Sequence, residues 1–183
     1  IQEEYGAQIG SHIWDSSIIL LKYLYTSSVL TNISSKLLQS LYFNTNDMNK
    51  IIAVELGAGL GLCGIYLAKY HYKIFKHVII SDTMKLLHHI NTNIIINECN
   101  DIAKTVCIDF SCVDDDHEYN LESYMKTVND SNAHQKISLI IAADVLYDNK
   151  VAKSFLQTAK TLMVLERDIH NDHDDDDDDD DND

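Results

Sequence analysis

One eight-residue run constrains this chain more than any other: Val54-Glu55-Leu56-Gly57-Ala58-Gly59-Leu60-Gly61. The apolar stretch 51–56 is too short for an ordinary helix, ends on a glycine and reads as a buried strand. Residues 61–71 beyond it are apolar and helix-like, closing at His71. A strand that enters a glycine turn and leaves as a helix has two physical consequences. Glycines tolerate positive φ and let a ligand lie against bare backbone. The helix start also presents N–H groups that no preceding turn can satisfy.

The same alternation continues along the chain. Residues 13–25 carry Ile13, Ile18, Leu20, Leu21, Leu24 and Tyr25 near one face at helical spacing. Residues 77–81 (HVIIS) predict a second strand, 84–97 a helix, 105–110 (TVCIDF) a third strand and 137–143 (ISLIIAA) a fourth. Residues 150–165 predict a helix that passes into a strand near 163–166. Residues 111–136 form a polar insertion between the third and fourth strands, with a short helix expected over 121–128. Short apolar strands separated by helices need crossover connections, hence a mostly parallel sheet covered on both faces. The fold class is therefore α/β, Rossmann-like and doubly wound. In such sheets ligands bind outside the carboxyl ends of the strands, where strand order reverses. The positions to watch follow Leu56, Ser81, Asp109 and Ala143.

At those positions the residue types are suggestive. Gly57, Ala58 and Gly59 make the turn, and Asp82 closes the second strand 21 residues after Gly61. A carboxylate there accepts ribose hydroxyls in nucleotide-binding folds of this kind. It could equally cap the following helix, as could Thr83. The stretch from Gly59 to Gly64 fits GxGxxG, though this register begins after the turn has already started at Gly57. A nicotinamide-dependent oxidoreductase is therefore an alternative reading. No Gly-Lys-Ser/Thr follows, which excludes a phosphate-binding loop of the Walker type. His12, His88 and His89 match no metal-ligand spacing, and 114–116 lack the glycine and glutamate of a calcium loop, so no metal is expected.

Charge narrows the partners. The net charge of −15 is concentrated at the end of the chain, where residues 168–183 hold eleven aspartates and neither lysine nor arginine. Residues 1–167 then carry 14 Lys+Arg against 18 Asp+Glu. A nucleic-acid binder working through a basic surface is excluded on that balance. Arg167 is the sole arginine, which argues against guanidinium clamps on phosphate. Eight consecutive aspartates predict a disordered tail, most simply a spacer. No run of 18 apolar residues indicates a membrane span. Nor does the start IQEEYGAQIG read as a signal peptide. Ile1 in place of methionine is expected of a processed chain or of a fragment. Cys63, Cys99, Cys107 and Cys112 show no CxxC spacing and are expected to be free thiols in a reducing compartment, cytoplasmic or nuclear.

Four segments in order carry a resemblance: Ile13-Trp14-Asp15-Ser16-Ser17, then VELGAGLGLCG, then ISDT, then AADVLYD. Together, from about Gly10 to Arg167, they resemble the seven-strand S-adenosylmethionine-dependent methyltransferases of family 16, the protein-lysine methyltransferases. These carry an Asp-x-x-Tyr motif after the fourth strand, here Asp144-Val145-Leu146-Tyr147. The insertion and the ending TLMVLER look most like the methyltransferase-like 22 branch. The resemblance implies a methyltransferase domain over 1–167, a tail over 168–183 and S-adenosyl-L-methionine as cofactor. It implies that Trp14 packs beside that cofactor, that Glu55, Gly57, Ala58 and Gly59 border its methionine part, and that Asp82 holds its ribose. Ala143 would line the pocket. Phe110 stands where the family usually has a tryptophan near the adenine, offering a flat apolar face without the indole N–H. Asp144 and Tyr147 would frame the opening for a lysine of a protein substrate. Simpler roles exist for three of these: Trp14 as core, Tyr147 as a half-buried surface tyrosine, Asp144 as a helix cap. The family normally continues with a helix and two more strands, so a catalytically idle adaptor or truncated fragment is the other alternative. Oligomeric state is not readable.

Overall fold

The computed structural model describes residues 1–2, 10–42, 51–110 and 136–164. The expected helix at 121–128 and the aspartate tail lie outside these, as does most of the insertion. Five helices and four strands are described: α1 Asp15–Thr26, α2 Val29–Tyr42, β1 Ile51–Leu56, α3 Leu62–Tyr70, β2 His77–Asp82, α4 Leu87–Ile96, β3 Ala103–Cys107, β4 Lys136–Ile141 and α5 Asn149–Val164.

The strands form one parallel sheet in the order β3-β2-β1-β4. All six residues of β1 are buried, as a strand flanked on both edges and covered on both faces must be. Alternate residues supply the two faces. Ile51 and Ala53 join Leu24, Leu30, Cys63, Leu67, Ile90 and Ile94 beneath α1 to α4. Ile52, Val54 and Leu56 face the other way, with Ile79, Val106 and Leu162 of α5. The chain thus winds one way through β1, β2 and β3, then returns past β1 to β4 with its next helix on the opposite face. That reversal puts the switch point at the carboxyl ends of β1 and β4.

A register shift between Ile52 and Ala53 leaves Ser138 as an extra residue in β4, between Ile137 and Leu139. Because strand side chains alternate, this bulge returns Leu139 and Ile141 to the α3 face while Ile137 and Ile140 stay on the α5 face.

Several boundaries differ from the expected ones. The third strand ends at Cys107, releasing Asp109 and Phe110 from the sheet, although Ile108 N–H still donates to the Asp82 carbonyl at 3.1 Å. The fourth strand stops at Ile141, so Ala142 and Ala143 belong to the crevice. α4 begins at Leu87, after a turn in which Leu86 N–H donates to the Thr83 carbonyl. Met163 and Val164 complete α5, so no strand begins at 163–164. Helix α2 was not anticipated.

Candidate functional site

The glycine turn is built by backbone geometry. Gly57, Gly59 and Gly61 all have positive φ (63°, 58° and 79°). At Gly57 a Cβ would lie 2.6 Å from Val145 Cγ1 and 3.1 Å from Phe110 Cζ, so only glycine leaves room between those two side chains. At Gly59 it would stand 3.0 Å from the Gly10 carbonyl, where the N-terminal segment crosses the turn.

Two carboxylates hold this turn. Gly59 N–H donates to Asp82 Oδ2 at 2.7 Å and Thr83 N–H to Oδ1 at 2.7 Å. An ionised carboxylate has about four lone-pair sites. With the Thr83 hydroxyl as a third donor, Asp82 anchors the turn and keeps about one acceptor site for a hydroxyl donor. It does not cap α4, whose N-cap residue is Leu86. Burial raises the Asp82 carboxyl above its ordinary range, opposed by the two backbone N–H groups and the Thr83 hydroxyl and assisted by the charge of Asp109. Glu55 lies beneath the turn: Gly64 N–H donates to its Oε2 at 2.7 Å. Only 3% exposed, it is pushed up to about 8 by burial, against the N–H groups of Gly64 and Cys63 and with a further push from Asp82.

Above the turn opens a cleft of about 240 Å3. Nine of the ten expected residues line it: Trp14, Gly57, Ala58, Gly59, Asp82, Phe110, Ala143, Asp144 and Tyr147. Glu55 alone does not, since its side chain is spent on the first turn of α3. Trp14 is the N-cap residue of α1 and is 46% exposed, so it is a wall of the cleft and not core. Phe110 meets Phe155 edge-on at 5.7 Å, which fixes its ring against α5. Asp144 sits at φ 60°, a conformation non-glycine residues seldom adopt, at the mouth beside exposed Tyr147. The helix cap expected of Asp144 is made by Asp148, whose Oδ1 accepts from Lys150 N–H at 2.8 Å and Val151 N–H at 3.3 Å.

Asn93 was not anticipated. Fully buried on α4, it donates from Nδ2 to the Leu60 carbonyl (3.2 Å) and to the Gln2 carbonyl (3.3 Å), and accepts from Gln2 N–H (2.6 Å). An asparagine in a predicted helix gives no local sign of such a tie; only its place among apolar neighbours hinted at burial. A larger groove of about 680 Å3 lies between α1 and α3, lined by Leu21, Tyr25, Ile65 and Tyr66 among others. Among the described residues it has neither glycine backbone nor carboxylate, whereas the smaller cleft has both.

A parallel sheet in this order, with a glycine turn after β1, an acid closing β2 and a cleft at the switch point, defines a Rossmann-like methyltransferase fold. The chain belongs to the lysine methyltransferase family, whose model matches residues 1–180. No curated protein is similar enough to stand beside that match. Among the described residues no helix is long and apolar enough to cross a membrane.

Proposed function

We infer that the chain binds S-adenosylmethionine in the cleft above the glycine turn and methylates a lysine side chain of a protein substrate. One observation carries the reading: the cleft gathers a glycine backbone cradle, a turn-anchored carboxylate and aromatic walls at the switch point of a lysine methyltransferase fold. The residues suit the cofactor. Asp82 has an acceptor site left for a ribose hydroxyl, Gly57 and Gly59 leave backbone bare for the methionine part, and Phe110 and Trp14 offer flat faces for the adenine. When bound, the cofactor supplies a methyl group activated on a sulfonium.

The protein's part is binding and orientation. A lysine amine must shed its proton before it can attack, and its ordinary pKa of about 10.4 opposes that at neutral pH. Entry into a cleft walled by Trp14, Phe110 and Val145 disfavours the charged form. In this reading Asp144 and Tyr147 at the mouth orient the amine as it sheds its charge, and neither acts as a strong base. The insertion and the ending TLMVLER look most like the methyltransferase-like 22 branch, and we propose that placement on this likeness.

The test is chemical. The protein is incubated with methyl-labelled S-adenosylmethionine and a protein extract, and the products are acid-hydrolysed. Labelled methyllysine is expected, and Tyr147→Phe should lower its rate several-fold. Label on another amino acid, or none, contradicts the lysine assignment.

A further inference from the structure

The aspartate run is the one sequence feature that the cleft leaves unused. Helix α5 carries the chain toward it in a defined direction. Phe155 in its first half meets Phe110 beyond the carboxyl end of β3. Leu162 in its last turn is fully buried in the cluster that holds Ile52, Val54 and Leu56, and a helix that follows a strand of a parallel sheet runs back toward the strands' amino ends. The helix therefore delivers the chain to the end of the sheet opposite the cleft. Asp168, four residues past Val164, lies within about 14 Å of the helix end even along a fully extended chain.

That end of the sheet is where lysines gather. Lys76 immediately precedes β2, and its N–H donates to the Ile51 carbonyl at the start of β1. Lys104 is the second residue of β3, paired in register with Ile79. Because Ile79 faces α5, the pleat sets Lys104 and His77 on that same face. Burial, and then the charges of Lys76 and Lys104, lower the basicity of His77, so both ammonium groups act on one imidazole. Exposed Lys69 and Lys73 extend the patch from the end of α3. Among the described residues the opposing carboxylates there are exposed Glu98 and Asp101, two against these four lysines. At the cleft end Asp82, Asp109 and Asp144 line the crevice and Asp148 caps α5, with exposed Lys85 and Lys150 just outside, so among the described residues carboxylates outnumber lysines there. An anionic segment is drawn to the first end and repelled from the second.

We propose that the aspartate-rich segment 168–183 docks on its own chain, against Lys76 and Lys104 at the amino end of the sheet. The contact leaves the cleft open. It also makes this edge unavailable to other polyanions while the segment is in place.

Zero-length carbodiimide coupling joins a carboxylate to an amine only where the two touch. Cleavage after Arg167 then releases 168–183 as one peptide bearing no lysine of its own. In the full chain at low salt, cross-links from this peptide should favour Lys76 and Lys104 over Lys22 and Lys153 by about fivefold. They should vanish at 1 M salt, where the Debye length falls to about 3 Å. Mixing light and heavy isotope-labelled chains should leave the cross-links within single chains. An even spread over exposed lysines, cross-links between chains, or none at all would each overturn the proposal.

Discussion

Glu55 shows how much a single buried carboxyl can impose. Its folded pKa of about 8 stands above the ordinary 4.5. Between those values the folded state holds a proton that the unfolded chain has released. Stability therefore falls as pH rises from 4.5 to 8, by up to about 1.4 kcal/mol per unit from this group alone. Glu55→Gln keeps an acceptor for Gly64 N–H and removes the charge, so its melting temperature should gain on the native protein steadily across that window. Parallel pH profiles would contradict the assignment. Gly59→Ala probes the turn itself: a φ of 58° and a Cβ 3.0 Å from the Gly10 carbonyl should cost about 1–3 kcal/mol by chemical denaturation. Cofactor affinity should fall at least tenfold by titration. Residue types at the strand ends made most of this site legible, because glycine, aspartate and Asp-x-x-Tyr carry meaning at fixed places in such a sheet. Side-chain direction was not legible. Glu55 is on the strand face that turns beneath α3, and no motif discloses that its carboxylate is taken by Gly64.

Among the elements, α5 closes one face of the sheet with few large side chains, and Leu162 is its fully buried contact. Leu162→Ala should destabilise by about 2–5 kcal/mol. Affinity for the cofactor should hold, because Leu162 packs at the far end from the cleft; a matching loss of affinity would contradict that placement. Strands β1 and β2 were readable almost to the residue, since buried runs bounded by glycine or by a polar connection have sharp edges. The carboxyl ends of β3 and β4 were not. Asp109-Phe110 and Ala142-Ala143 continue the apolar pattern but leave the ladder to line the crevice, and periodicity cannot register a change of partner. Helix α2 hides its apolar residues among three serines, a threonine and one asparagine, which are weak helix formers.

At the scale of the molecule, the fold sorts charge by position. Among the described residues carboxylates outnumber lysines around the crevice, lysines outnumber carboxylates at the other end of the sheet, and a segment with eleven aspartates follows the helix that leads away from the crevice. The doubly wound order is what makes the crevice, since β4 and α5 must pass back across β1 for the glycine turn to face Ala143 and Val145. The central claim is that this crevice is a site for S-adenosylmethionine, and calorimetric titration tests it most directly. The native chain should bind S-adenosylmethionine saturably and NAD not at all, and Asp82→Ala should lose at least tenfold in affinity while remaining folded. Binding of NAD alone, or no binding of S-adenosylmethionine by a folded chain, would contradict it.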